Sequence, residues 1–213
     1  MGKSTMVRVD CEQGSEAWFG YKCGRITGTR FAKVVAAKGS ATYKDLITDL
    51  AAEIITGEVE ETFKSEHMDR GKDVEPKARQ EYESIFELEV EEVGFCLPGS
   101  NLDQWVGISV DGLVGQDGGV EIKCPKKKTH INYIENNNLP NGYRWQVQGQ
   151  LLYTGRKWWD FMSYYPGMKP FIYRVRPDIE MHSQLDREIR LAIKAVKAKI
   201  KMYDKYDFMQ QPK

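Results

Sequence analysis

Apolar residues recur along this chain at two spacings, and the change from one to the other sets its layout. Over Thr29 to Ala37, Phe31, Val34 and Val35 stand at helical steps, with Gly39 as a stop. Thr27 and Thr29 both occupy positions suited to a helix N-cap. Leu46, Leu50 and Ile54, with Ile47 and Ala51 beside them, predict a helix over about Tyr43 to Thr56. Thr42 would cap it, Asp45 takes the capping-box position, and Gly57 ends it. A third helix is predicted from near Glu75, with Pro76 in its first turn.

The period then shortens to two. Leu88, Val90, Val93 and Phe95 read as strand, and Trp105 to Val110 puts Val106, Ile108 and Val110 on one face. Gly112, Gly115, Gly118 and Gly119 read as a turn, and Val120 to Cys124 as a strand stopped by Pro125, so the last two strands look like a hairpin. A polar stretch from Lys126 to Asn141 follows, then a helix over about Tyr143 to Tyr153 ended by Gly155. Trp158 to Tyr165 and Phe171 to Arg176 are strands joined across Pro166-Gly167. Leu185, Ile189, Ile193, Val196, Ile200 and Tyr203 mark a long closing helix, while Met1 to Thr5 reads as frayed. Helices before, within and after a central set of strands predict an α/β or α+β sandwich.

The length of 213 residues suits one domain over 1–213 that buries its own core. Lys plus Arg equal Asp plus Glu at 31 each, which excludes a simple histone-like binder but not an enzyme acting on nucleic acid. Cys11, Cys23, Cys96 and Cys124 form no C-x-x-C pair, and no His sits at zinc-finger spacing, so reduced thiols are expected. No signal-peptide core and no apolar run near ~20 residues is present, which predicts a soluble, cytoplasmic protein without a membrane partner.

One segment carries chemistry. In Ser109-Val-Asp111-Gly through Val120-Glu121-Ile-Lys123, strand alternation puts Glu121 and Lys123 on one face and Ile122 on the other. Pairing of the two strands would bring Asp111 to Glu121. Clustered carboxylates repel unless something compensates them, and a divalent cation does so. Mg²⁺ uses hard oxygens, often one or two carboxylates with water and phosphate, and the Ile122 carbonyl could add another. Lys123 would then orient a water or stabilise charge on a phosphate, as in phosphodiester hydrolysis. Taken alone, Glu121 and Lys123 also read as a solvent-facing ion pair. Asp103 and Asp117 read as loop residues.

The D-x9-E-x-K pattern resembles the PD-(D/E)xK nuclease motif, and the chain is similar to the lambda exonuclease and YqaJ-type viral recombinase family. Five segments carry the likeness: Ala17-Trp18 through Gly24-Arg-Ile-Thr-Gly-Thr29, Arg70-Gly-Lys-Asp-Val-Glu75, Ser109-Val-Asp-Gly112, Glu121-Ile-Lys-Cys-Pro125, and Gln146-Val-Gln148 through Thr154-Gly-Arg-Lys157. The resemblance implies the restriction-endonuclease-like α/β fold, a central mixed sheet flanked by helices. It implies a 5′→3′ exonuclease acting on double-stranded DNA ends and leaving a 3′ single strand. It also implies Mg²⁺, two ions per site with Mn²⁺ as a substitute, a ring-shaped homotrimer, a single-strand annealing protein as partner, and a phage or prophage origin. Val110 replaces the motif's proline, Lys22 stands in place of an arginine that reaches the DNA 5′ end, and Thr29 replaces a serine.

By this resemblance Asp111, Glu121 and the Ile122 carbonyl hold metal, Glu75 supports it, and Gln146 acts with Lys123 on the water. Glu75 also reads simply as a glutamate favoured at a helix start. Solvent exposure is the simpler reading of Gln148 and Gln150. Lys22, Arg25, Thr27, Thr29 and Arg30 cluster at a helix start, where phosphate binds, and Ser109 joins them; plain capping is the alternative. Lys126, Lys127 and Lys128 suit either a phosphate backbone or solvent. Trp145, Trp158 and Trp159 read as packing, and His67, His130 and His182 have no ligand spacing. An endonuclease or junction resolvase of the same fold, and a non-catalytic DNA-binding adaptor, are the rival readings.

Overall fold

The computed structural model describes residues 6–59 and 66–206; the frayed reading of Met1 to Thr5 and any statement on the side chain of His67 lie outside them. In chain order the elements are β1 (Val7–Val9), α1 (Glu16–Lys22), α2 (Arg30–Val34), α3 (Ala41–Thr56) and α4 (Glu66–Phe86). Then come β2 (Val90–Glu91), β3 (Phe95–Leu97), β4 (Gly112–Val114), β5 (Gly118–Lys123) and α5 (Lys127–Asn136). A 3-10 turn (Asn141–Tyr143), α6 (Arg144–Thr154), β6 (Trp158–Ser163), β7 (Phe171–Val175) and α7 (Ile179–Asp204) complete the fold. β1 and β3 form a small antiparallel ribbon, and the central sheet has the order β2-β4-β5-β6-β7. Only β5 and β6 run parallel in it, so the sheet is mixed.

Side-chain alternation gives the sheet two dry faces. Val120, Ile122 and Met162 pack with Ala78 and Tyr82 of α4. Leu113, Trp159 and Phe161 face the larger core, built with α2, α3, α6 and α7. The expected mixed sheet flanked by helices is therefore the fold. A network centred on buried Asp160 ties α4 to its face: the Tyr82 hydroxyl donates to Asp160 Oδ2 at 2.6 Å, and the exposed Arg174 grips both Asp160 oxygens at 2.8 Å. No helix among the described residues is long and apolar enough to cross a membrane.

Several sequence expectations need correction. Trp105 to Val110 is extended but does not pair with β5. It bridges instead to Ile26 and Cys96, residues remote in sequence, and buries Val106, Ile108 and Val110 completely. The hairpin is β4 with β5, so Gly112, Gly118 and Gly119 are strand rather than turn. Gly118 and Gly119 each lie against a tryptophan: a Cβ on Gly119 would come to 2.5 Å from the Trp159 ring. α4 starts at Glu66, which leaves Pro76 inside it, short of one backbone hydrogen bond. The polar stretch after β5 contains α5, and α3 is capped by Ser40, whose Oγ accepts from Tyr43 N, rather than by Thr42.

Two contacts fix α6 against the rest. Arg156, just past its C-terminus, is buried and donates through Nη1 to the carbonyls of Val114, Gly115 and Gly118, closing the β4–β5 turn. Gly149 sits against Phe31 of α2, where a Cβ would approach to 2.3 Å. Gly149→Ala should therefore destabilise the protein by about 1–3 kcal/mol through overpacking. An unchanged urea midpoint would contradict this contact.

Candidate active site

The β4–β5 register places Gly112 opposite Val120, so Asp111 leaves the end of β4 beside Glu121. The Ile122 N–H donates to Asp111 Oδ2 at 2.7 Å. Lys123 Nζ lies 3.5 Å from the same oxygen, pairs with Glu121 Oε1, and donates to the Ile122 carbonyl at 3.0 Å. Ile122 points to the opposite face, into the α4 core, as strand alternation requires.

Glu121 is 1% exposed, and α6 supplies its hydrogen bonds. Gln146 Nε2 donates to Oε1 at 2.5 Å, and Gln150 Nε2 to Oε2 at 2.6 Å. The two amides are four residues apart, about one helical turn. Gln146, which the family resemblance assigns to the site, is thus a hydrogen-bond donor to Glu121. The exposed reading of Gln148 and Gln150 fails. Gln148 is 5% exposed and ties α6 to the strand-to-helix connection through Arg176 O and Asp178 N; Gln150 is fully buried.

Charge in the site is unbalanced. Burial and the nearby Asp111 push the Glu75 carboxyl up to about 7, against the pull of Arg79 and Lys123. Burial, then Asp111, raises Glu121 too. Burial favours neutral Lys123, but Asp111 and Glu121 together outweigh it and hold the ammonium charged. The approach of Glu75 to Asp111 brings a carboxylate from α4 to the hairpin's end.

The helix-start cluster borders this site. Trp18 Nε1 donates to Ser109 Oγ at 3.2 Å, and Lys22 Nζ stands 3.9 Å over the Trp18 ring. That chain of contacts ends two residues from Asp111. Gly28 faces Gln146, so the Thr27–Thr29 segment flanks α6 at the site. Thr29 is the N-cap position of α2 with its hydroxyl uncommitted to capping, and Thr27 is buried. Arg25 spends Nε on Asp103 O and Nη1 on Tyr21 O, both at 2.8 Å. Glu53, which the sequence did not single out, holds this loop by accepting from Gly24 N at 2.9 Å and pairing with Arg30. Lys126 to Lys128 are exposed at the start of α5, and Trp159 is core.

Among the described residues no three His, Cys, Asp or Glu side chains form a closed metal cage. The donors that do converge suit Mg²⁺, which needs few protein ligands: Asp111, Glu121 and the Ile122 carbonyl are all hard oxygens. Burial first and Asp111 second push Glu75 up, and a cation beside it would favour its charged form.

A mixed sheet clasped by helices, with an acid–lysine cluster at the end of its central hairpin, is an exonuclease-type α/β fold. The chain belongs to the YqaJ-like viral recombinase domain family, which it matches over residues 17–157. It is similar to the alkaline exonuclease LHK-Exo from Laribacter hongkongensis at 31% identity, with a TM-score of 0.81 over 89% of this chain and 96% of that one. The same exonuclease in complex with dAMP gives 0.82 at the same identity and coverage. A phage related exonuclease from Haemophilus somnus 129PT shares the fold, with a TM-score of 0.65 at 12% identity, over 84% of this chain and 96% of that one. Comparison with curated proteins gave no match.

The raised Glu75 carboxyl has a consequence for stability. Its folded-state value of about 7 exceeds the ordinary 4.5, so between them the folded chain keeps a proton that the unfolded chain has lost. Stability of the metal-free protein should therefore fall as pH rises from about 5 to about 7.5. Glu75→Gln should flatten that slope in urea melts run with EDTA, and identical slopes would refute the assignment.

Proposed function

We infer that this chain is a Mg²⁺-dependent deoxyribonuclease that degrades one strand of linear double-stranded DNA, 5′→3′, from 5′-phosphorylated ends. The 3′ single strand it leaves would serve recombination by annealing. The observation that carries this reading is the meeting of Asp111, Glu121, Lys123 and Gln146 at one end of the sheet, in a chain similar to an exonuclease.

Asp111, Glu121 and the Ile122 carbonyl hold the metal, and Glu75 supports it from α4. The bound cation supplies Lewis acidity and lowers the pKa of a water. Mn²⁺ substitutes, and the site takes two ions. Lys123 reaches both carboxylates, so it can orient the attacking water or stabilise charge on the scissile phosphate. Gln146, only partly buried, is the amide that can reach the water.

Lys22, Thr29 and Ser109 bind the 5′-phosphate, with Arg25 and Thr27 shaping the loop. Burial and then Arg30 weaken the charged form of Lys22, and a phosphate would restore it. Trp18 links Lys22 to Ser109, two residues before Asp111 in the chain. Family membership supports a homotrimeric ring and a single-strand annealing partner.

Duplex DNA labelled separately at its 5′ and 3′ ends tests the reading. Label should leave the 5′ ends in Mg²⁺, not in EDTA, and faster from a phosphate than from a hydroxyl. Internal cuts, or intact DNA in every lane, would overturn it. Lys123→Ala should lower turnover by roughly 10²–10⁴-fold; normal turnover in that variant would sink the mechanism. Lys22→Ala should abolish the preference for a 5′-phosphate while a 5′-hydroxyl end is cut at its original rate.

A further inference from the structure

Gln150 stands where an amide is a poor structural choice. It is fully buried in the middle of α6, and its Oε1 has no hydrogen-bond partner among the described residues. An unpaired buried acceptor is destabilising, and a leucine of similar size would remove it. The amide cannot turn to relieve the oxygen. The reversed orientation would set Oε1 against Glu121 Oε2, the atom that Nε2 now approaches to 2.6 Å. Local packing has yielded to the demands of one carboxylate, as happens at functional sites.

We propose that Gln150 is a positioning residue for Glu121. Its N–H fixes Oε2 and so stops rotation of the carboxylate about its terminal bond. Glu121 then meets a divalent cation in one orientation. Gln150 is sealed from solvent and acts through Glu121, not on the substrate. The arrangement divides the labour of α6. Gln146, one turn earlier and nearer solvent, can leave Oε1 for the attacking water without loosening the carboxylate. The proposal rests on the nuclease reading above.

Gln150→Met keeps the volume and removes the donor. Mn²⁺ binding to the full chain is measured by calorimetry without DNA, kcat and KM on linear duplex in Mg²⁺, and melting in EDTA. Mn²⁺ affinity should fall about 10–100-fold and kcat at least about 10-fold, with KM for DNA within about twofold, whatever the change in melting. A merely structural role would lower the melting temperature and leave Mn²⁺ affinity alone. Mn²⁺ affinity or kcat within about twofold of the original overturns the proposal. Absence of Mg²⁺-dependent cleavage by the unaltered chain would instead overturn the nuclease reading, and calorimetry would still judge Gln150. The unaltered chain gives a second measurement should Q150M fail to fold. In ¹⁵N spectra the Gln150 side-chain amide protons should exchange slowly and shift in Glu121→Gln; fast exchange or no shift overturns the proposal.

Discussion

The constraint on which this structure turns is a carboxylate taken out of water. Glu121 is almost wholly buried on the helix-covered face of a central strand, and an isolated charge there would be strongly destabilising. Lys123 and two amides of α6 compensate it. That requirement brings α6 onto the sheet at this strand. It also explains why α6 carries glutamines at buried positions, and why Gly149 between them lets α2 close on the same helix.

The site takes acids from both faces of the sheet. Glu121 belongs to the face under α6, and Glu75 arrives on α4 from the other. α4 is held by apolar packing and by the Tyr82–Asp160–Arg174 network. Asp111 stands between them at the hairpin's open end, where it raises both neighbours. Three carboxyls meet Lys123 and, at Glu75, Arg79, and a divalent cation would offset the negative charge that remains. The same crowding that favours metal also makes the empty pocket sensitive to protons.

What the sequence made legible was local. Glu121 and Lys123 follow from strand alternation, whereas Asp111 was placed beside them by a hairpin whose first strand is in fact Gly112–Val114. Gln146 was legible only through family likeness. The remainder depends on partners far along the chain. Trp105 to Val110 looks like a ladder strand, but Ile26 and Cys96 claim its backbone. α5 shows no apolar stripe because its fully buried residue is His130, satisfied by Ser163 Oγ and the Lys169 carbonyl. Gln150 looks polar and exposed until Glu121 is known to lie beneath it. α4 begins in a charged run without periodicity, so Pro76 passed for its first turn.

Arg156 gives this architecture a ruler. Gln146 near the start of α6 and Gln150 in its middle hold the working end of β5; just past the helix's C-terminus, Arg156 holds the turn between β4 and β5. The helix and the hairpin are therefore cut to matching lengths. A surface turn ordinarily drifts in length as a family diverges, but this one is gauged against a rigid rod. The interval between Asp111 and Glu121 is thereby tied to the length of α6, and loop grafting belongs elsewhere on the molecule.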